Sequence, residues 1–543
     1  MTSRIPANIS EFTFDVIIIG AGINGAGIAR DAAMRGLQAL VLDKGDLGGG
    51  TTSWSTRLIH GGLRYLEYGE LGLVRESLRE RESLLRIARH LVKPLPLLIP
   101  IYRSAKRGPL MIRAGMIGYD LLSINKSLPR HRMLSRSDAL ELEPGLNPAG
   151  LRGAAIYHDA QVEFAERLVV ENVLSAKQNG AQVVTYAKVQ KFITEGGAIR
   201  GVQGSDLLSG ETFTARAPIV VNAAGPWVDQ LLTEAELSQR LIGGTKGSHL
   251  VVAPFAFAPS TALYVEAESD NRPFFIIPWN GKFLIGTTDI RFEGDLDDVE
   301  IEADEIDYLL RETNRVVPAA SLTHESILYT YSGVRPLPYA QTKDEQSITR
   351  RHFIRTHPDL EGLFSIVGGK LTTYRNLAEQ AVDLIFRQLV KEVPECTTAS
   401  TPLPGAGPAN LQTLSDQLKT DHALSPQTTE HLLRVYGTRA REVVKLAAQD
   451  NALAENFDEE TGAIAAEVIF SFQQEMAETL ADCLLRRTMV GLNSSIGIGA
   501  DEAAAAIARE YLDWSESRVQ EEVAAYRAYV KRFQLHSRRN GKQ

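Results

Sequence analysis

Phe14-Asp15-Val16-Ile17-Ile18-Ile19-Gly20-Ala21-Gly22-Ile23-Asn24-Gly25 begins the stretch that decides the fold, which runs on through Met34-Arg35-Gly36 and ends in Leu37-Gln38-Ala39-Leu40-Val41-Leu42-Asp43. Val16 to Ile19 is a β-branched run without a polar residue, the pattern of a short strand covered on both faces in a parallel sheet. Gly20, Gly22 and Gly25 follow in G-x-G-x-x-G spacing. The first permits the tight turn, the second lets the backbone approach a pyrophosphate, and the third lets the next helix pack close. Ala26 to Met34 is rich in helix formers, and the helix N-terminus aims unpaired N–H groups and the positive dipole end at the phosphates. Gly36 stops the helix, a second apolar strand follows, and Asp43 stands where a ribose hydroxyl needs an acceptor. In a chain with 44 glycines the three alone carry little weight; strand, loop, helix, strand and acid in register carry much more. An acid at position 43 selects an unphosphorylated ribose, FAD or NAD rather than NADP, and does not separate those two.

The 543 residues leave room for a large core and two to four domains. A net charge of −9 excludes general nucleic-acid affinity. Cys396 and Cys483 make neither a disulfide framework nor a metal-ligand cluster, so no metal is expected and a reducing compartment is the default. The first residues lack the apolar core of a secretory signal, and no run of about 18 apolar residues spans a bilayer.

Outward from the opening unit, residues 44–66 form a Gly/Ser/Thr-dense loop and a short helix, suited to wrapping a cofactor's ring system. Leu71 to Arg89 reads as a helix with paired charges. From Lys93 to Arg136 basic residues interleave with Leu, Ile, Met and Tyr, and Asp120 is the only acid between them. Two readings stay open here: docking on an anionic membrane surface without spanning it, or a buried hairpin with solvated arginines. Residues 151–220 alternate strands with one helix, and Gly196-Gly197 makes a hairpin turn. Pro218 to Asp229 reads as another buried strand ending in a small-residue turn, with no second G-x-G-x-x-G, which counts against an enzyme that binds both FAD and NAD(P)H. Residues 242–350 are β-rich, with a helix from Glu300 to Val316. Leu363 to Arg375 returns to strand, glycine turn and helix, which brings Gly368 and Gly369 near a cofactor. A Pro/Gly/Thr-rich linker covers 397–410, helices run from Leu411 to Phe533, and a polar tail follows from His536.

Seven motifs coincide in one order: Gly20–Gly25, Arg57–Tyr65, Asn222–Trp227, Lys246-Gly247-Ser248-His249, Gly286-Thr287-Thr288-Asp289, Tyr331–Pro336 and Gly368–Tyr374. Together they resemble the FAD-dependent, respiratory, quinone-linked glycerol-3-phosphate dehydrogenases over essentially the whole chain. The resemblance implies an α/β fold: a Rossmann-like FAD-binding domain with an inserted antiparallel-β substrate domain and an all-α C-terminal domain. The FAD-binding domain would comprise 13–90, 151–235 and 351–396. A basic apolar entry would occupy 91–150, the substrate domain 236–350, the linker 397–410 and the helical domain 411–535. The activity implied is oxidation of sn-glycerol 3-phosphate to dihydroxyacetone phosphate by hydride transfer to flavin N5. Electrons would pass to a membrane quinone, with the protein peripheral on the cytoplasmic face of the cell membrane. An oxidase that passes electrons to oxygen is the nearest rival, followed by an amino-acid or amine oxidase and a non-catalytic flavin protein. A homodimer is compatible with this reading, and the sequence does not give the oligomeric state.

A phosphomonoester dianion calls for several cations, and arginine's forked donors match its oxygens. Arg335, Arg350 and Arg64 are the matched substrate ligands, with Tyr65 as a further contact, and Lys370 is placed to polarise flavin and substrate together. A secondary alcohol needs a base for its proton. His249 is the first choice and His60 the second, and the sequence does not decide between them. The matched FAD contacts are Gly20, Gly22, Asn24, Gly25, Asp43 and Lys44, then Thr51, Thr52, Ser53, Thr56, Leu58, His60 and Gly61. Val189, Ala223, Gly225 and Trp227 follow, and Gly368, Gly369, Leu371, Thr372 and Thr373 complete the set. Trp54 and Arg57 stand where smaller or lysine residues are common in the family.

Overall fold

The computed structural model describes residues 5–6, 9–124, 126–234, 236–237, 239–340, 350–422 and 424–535. The polar tail expected from His536 lies outside them. Val16–Ile19 is an inner strand of a six-stranded sheet, flanked by parallel strands Ala39–Leu42 and Val220–Asn222. Gln182–Val184 and Leu363–Val367 extend it in parallel, and Phe353–Thr356 closes one edge antiparallel. Side-chain parity gives each face its cover. Val16, Ile18 and Val41 pack beneath helices Ile23–Met34, Ala165–Gln178 and Tyr374–Gln388, while Ile17, Ile19, Leu40 and Leu42 meet a second layer. That layer is the antiparallel sheet Ala187–Glu195, Ala198–Asp206 and Thr212–Arg216, which contributes Phe192, Val202 and Phe213. Each of these aliphatic burials stabilises by about 1.5–3 kcal/mol. Ile5 and Ile9, from the N-terminal extension, join the same cluster.

The second large element is a ten-stranded sheet, antiparallel but for the pair Val92–Tyr102 and Ala262–Glu266. Its strand Leu151–Val162 pairs along its length with Val92–Tyr102 and also with Arg132–Ser135. Strand Leu151–Val162, expected with the FAD-binding segments, thus pairs in the ten-stranded sheet, while its end residues Ala160 and Val162, the helix Ala165–Gln178 and the strand Gln182–Val184 pack with the nucleotide layer. Val92–Tyr102 carries prolines at 94, 96 and 100, all of one parity, so their missing N–H groups lie along a single edge. That edge has a registered neighbour only at Leu97 and Leu98, and the prolines leave no ladder bond unmade.

The basic apolar segment divides into a buried half and a partly exposed half. Its first half is this strand, largely buried. Its second half contains the helix Pro109–Leu122, which buries Met116 and Tyr119 and presents Leu110, Ile117 and Leu121 to solvent, with Ile124 just beyond. No helix among the described residues is long and apolar enough to cross a membrane.

The C-terminal part is helical except for a small hairpin, Asn456–Asp458 with Ala463–Ile464, and its last two long helices are Ala500–Tyr511 and Glu516–Val530. The expected linker is firmly packed: Leu403 and Ala406 are buried, and Gly405 N donates to Glu171 at 2.6 Å. Buried ion pairs fix the helical part to the nucleotide layer. Arg487 and Arg486 meet Asp46 at 2.7 and 2.5 Å, and Arg167 meets Glu475 at 2.5 Å. Burial would raise the Glu475 carboxyl, but Arg167 and Arg439 outweigh it and hold it at about 2.

Candidate functional site

Strand Val16–Ile19 ends at Gly20, whose φ of 103° belongs to glycine, and a Cβ there would lie 2.7 Å from the Ala223 carbonyl oxygen. At Gly25 an added Cβ would lie 1.8 Å from the Gly20 carbonyl, so the helix can leave the strand this closely only through a glycine. Gly22 is different. Its nearest neighbour is the Thr52 hydroxyl at 3.6 Å, so its backbone faces open space. That space is a cavity of about 840 Å³.

Its walls come from widely separated stretches of the chain. Gly20, Gly22 and Asn24 form the floor, and Thr52 Oγ1 accepts the Ile23 N–H at 3.2 Å. Asp43 and Lys44 close one end. The Asp43 carboxylate accepts from Ala21 N at 2.5 Å and Gly45 N at 2.8 Å, which ties the end of the second strand to the glycine loop. Burial raises the Asp43 carboxyl above its ordinary value. Val189, Ala223, Gly225 and Trp227 form another side, with Lys44 Nζ 4.6 Å from the Trp227 ring centroid. Thr51, whose hydroxyl donates to Val334 O at 2.6 Å, lies beside Gly333 and Val334. Gly368 and Gly369, both at positive φ, lead to Lys370 and Leu371 at the far end. Asn24 Nδ2 reaches Gly368 O at 3.4 Å, while Asn24 Oδ1 and Trp227 Nε1 are buried with no hydrogen-bond partner among the described residues.

Several expected contacts stand behind this wall. Ser53 is buried and donates to Gly48 O at 2.6 Å, and Leu58 pairs with Gln161 in the ten-stranded sheet. Gly61 N donates to the Tyr119 hydroxyl at 2.9 Å. Thr372 accepts the His60 N–H at 3.1 Å, and Thr373 caps the helix Tyr374–Gln388. Thr56 Oγ1 lies 2.9 Å from His249 Nε2. Arg57, at positive φ, is sealed in the core, where both of its Nη atoms meet Glu166 at 2.7 Å.

Beyond Lys370 the sheet brings a group of cations together. Arg335 lies at the end of strand Ile327–Arg335, beside strand Thr245–Val252, which carries His249. Asp289 receives Arg335 at 3.1 Å and Arg350 at 3.0 Å, one on each oxygen. Arg335 also donates to Thr287 Oγ1 at 3.0 Å and Thr288 O at 3.2 Å. Tyr65 and Arg64 lie within electrostatic reach of Arg335. Arg64 has no ion pair among the described residues. Lys370 donates to Ser77 Oγ at 3.0 Å and sits 4.4 Å from the Tyr65 ring centroid, so the loop at 60–65 and the glycine turn at 368–370 meet there. Asp289 is the residue whose part in this cluster the sequence reading left unassigned. The signal for it is that it is the only acid of the motif Gly286-Thr287-Thr288-Asp289. Burial would raise its carboxyl, but Arg335 and Arg350 outweigh that and hold it below the usual carboxylate range.

Both histidines are neutral near pH 7. Burial, then Lys370 and Arg64, push His60 down to about 3. Burial, then Arg335 and Arg57, push His249 well below the ordinary imidazole value. The His249 ring is enclosed between Gly286 and Tyr331, and its Nδ1 has no hydrogen-bond partner among the described residues.

The profile of the family described as FAD dependent oxidoreductase matches residues 15–384, and that of the C-terminal domain of alpha-glycerophosphate oxidase matches residues 396–519. A glycerol-3-phosphate dehydrogenase of Synechocystis is 46% identical, with 96% of this chain and 97% of that protein covered. Glycerol-3-phosphate dehydrogenase 2 of Mycobacterium bovis is 36% identical over 95% of this chain and 88% of its own. The crystal structure of the glycerol-3-phosphate dehydrogenase from Bacillus halodurans complexed with FAD superposes with a TM-score of 0.80 at 30% identity, covering 97% of this chain and 98% of that one. The cavity suits the same cofactor. Gly22 leaves the backbone open to a pyrophosphate, an acid closes the ribose end, and two buried polar groups without a partner among the described residues, Asn24 Oδ1 and Trp227 Nε1, fit a polar ligand. With this fold, this cavity and relatives matched over nearly their full length, the chain belongs to the FAD-dependent glycerol-3-phosphate dehydrogenase family, and FAD is its cofactor.

Proposed function

We propose that the protein oxidises sn-glycerol 3-phosphate to dihydroxyacetone phosphate and passes the electrons to a membrane quinone. The observation that carries the substrate reading is the convergence of Arg335, Arg350 and Arg64 beside Lys370 at one end of the cofactor cavity. FAD bound in the cavity would supply the hydride acceptor for this oxidation. The chain's part is binding, orientation and proton handling. Arg335 and Arg350, set in register by Asp289, hold the phosphate, and Arg64, which has no ion pair among the described residues, closes on the same dianion. Tyr65 walls the site. Lys370, stripped of water and lowered by burial, orients the substrate oxygen against the flavin.

His249 takes the hydroxyl proton in this reading, with His60 second. Its unpartnered Nδ1 supports that choice, as does its neutral state, which a base requires. A phosphate dianion at Arg335 offsets part of the positive field that depresses the ring, so the base strengthens as substrate binds. The adenosine half of FAD would rest on Gly20, Gly22, Asp43, Lys44, Val189, Ala223, Gly225 and Trp227. The flavin half would rest on Asn24, Thr51, Thr52, Gly368, Gly369 and Leu371. Ser53, Thr56, Leu58, His60, Gly61, Thr372 and Thr373 shape the loops behind, and Gly25 lets the helix approach.

Support for the quinone and for peripheral attachment to an anionic membrane comes from the exposed apolar face Leu110, Ile117, Leu121 and Ile124, with Arg103, Lys106, Arg113 and Arg130 exposed around it. Anaerobic titration of the purified flavoprotein with glycerol 3-phosphate tests the substrate: the visible flavin band bleaches, whereas sarcosine and glycine leave it unchanged. A flavin that stays oxidised with glycerol 3-phosphate overturns the reading. Stoichiometric peroxide without reduction of a quinone analogue would replace the quinone by oxygen.

A further inference from the structure

The helix Glu516–Val530 and the turn Lys531–Phe533 lie almost wholly beyond residue 519, where the matched C-terminal family domain ends. Yet Tyr529, Arg532 and Phe533 line the dinucleotide cavity, whose walls come mostly from residues far earlier in the chain. The turn is anchored on both sides of the opening. On one side Phe533 is buried, its ring centroid 5.0 Å from Trp54, and its carbonyl accepts from Thr330 Oγ1 at 3.4 Å. On the other, Arg532 Nη1 donates to the Asp297 carbonyl at 3.1 Å, while the Asp297 carboxylate holds Lys44 Nζ at 2.7 Å. Lys44 directly follows Asp43, at the ribose end. The segment thus bridges from the Trp54 loop to the Asp43–Lys44 corner.

Arg532 is the polar group this bridge presents to the cavity. Its recorded hydrogen bonds go to two carbonyls, Tyr529 O at 3.2 Å and Asp297 O, and its guanidinium lies 4.4 Å from the Tyr529 ring centroid. It has no ion pair among the described residues. Arg486, the other arginine on this wall, is already committed to Asp46 and Asp482. A guanidinium held by carbonyls and an aromatic face keeps its charge available for an anion. The cavity it lines is built for a pyrophosphate, whose charge the glycine loop meets only with backbone N–H groups.

We propose that residues 529–533 form a clasp over the bound cofactor, with Arg532 as a cation for the FAD pyrophosphate and Phe533 as the anchor on Trp54. This rests on FAD occupying the cavity. The clasp acts on cofactor retention, separately from the cations that hold the substrate.

The test is the rate at which FAD leaves the purified holoenzyme on dilution, followed by the recovery of free-flavin fluorescence. Four chains are compared: full-length protein, a chain ending at Val530, Arg532→Gln and Arg532→Lys. Loss of a charge-assisted contact predicts release about tenfold faster for Arg532→Gln, and faster still for the shortened chain. Arg532→Lys keeps the charge and recovers much of the retention at low salt, an advantage that fades as salt rises. Because Arg532 is half-buried and lies outside the hydrophobic core, its variants keep the apo-protein's thermal transition, and that measurement separates retention from folding. Release from Arg532→Gln at the full-length rate overturns the clasp and leaves the cofactor assignment intact. Full-length protein that neither carries nor takes up FAD overturns both.

Discussion

Around the dinucleotide cavity the chain presents backbone, and around the cation cluster it presents side chains. The cavity depends on glycines at 20, 22, 25, 368 and 369, on N–H groups at a helix end, and on one acid, Asp43, itself held by two backbone N–H groups. The cluster depends on long side chains from distant segments, Arg64, Arg335, Arg350 and Lys370; Asp289 aligns Arg335 and Arg350, and Lys370 packs on Tyr65. Backbone recognition suits a group bound in every turnover cycle, because it is preorganised and loses little entropy on binding. Side-chain recognition suits a ligand that must arrive and leave, and each cation can be changed singly without collapsing the fold. The two regions should therefore break differently when mutated: all or nothing in the first, graded in the second.

Gly25→Ala should give the largest effect. Its methyl would need the space of the Gly20 carbonyl oxygen, 1.8 Å away, and neither backbone can yield without opening the turn. Purified protein should carry no flavin, or should fail to accumulate, as flavin absorbance per unit protein reports. A variant that retains full flavin would show that the loop adapts and that the backbone argument is wrong. Arg335→Leu comes next. The flavin should remain at full occupancy while KM for glycerol 3-phosphate rises, by the roughly 1.5–3 kcal/mol of a charged hydrogen bond, or about ten- to a hundredfold. An unchanged KM would remove Arg335 from the substrate site. Asp289→Asn should cost less, about tenfold or below in KM, because the amide keeps an acceptor for one arginine and loses the charge that aligns both. A KM that falls instead would mean that Asp289 competes with the phosphate rather than orienting its ligands.

The same contrast explains what the sequence disclosed. The opening unit was legible from Phe14 to Asp43 because its parts are local: a periodic apolar strand, spaced glycines and an acid at the right distance. The return strand at Asn222 and the turn at Gly368 were legible for the same reason. Asp289 was not, since its role exists only where Arg335 and Arg350 arrive from other strands. The burial of Val92–Tyr102 was only one of two open readings, since prolines usually argue against an inner strand and are tolerated here because they share an edge with few partners. The contribution of Tyr529 to Phe533 to the cavity wall was hidden too, because helical periodicity says which face is buried and not what it covers.

The smallest effect concerns pH, and it separates the two regions once more, since the low imidazole values arise from burial together with nearby cations. His60 has an ordinary value of 6.5 in the unfolded chain and about 3 in the folded one. Between those limits the unfolded chain binds a proton that the folded protein refuses. The stability from keeping His60 neutral is thus fully present above about pH 6.5 and is lost as pH falls, by up to about 1.4 kcal/mol per pH unit. His249 adds a loss of the same sign, whereas Asp289, held low by its arginines, contributes only at more acid pH. Urea unfolding at about pH 5, 6 and 7 should therefore show a shallower acid loss for His60→Gln than for the unaltered protein, the gap widening toward pH 5. Equal slopes would mean that His60 gains its proton in the folded state as readily as in the unfolded one, and that Lys370 and Arg64 do not act on it. Glycerol 3-phosphate in the buffer supplies the complementary measurement. A dianion among these cations should lift His60 and reduce the acid slope of the unaltered protein, while leaving that of the His60→Gln chain nearer its starting value.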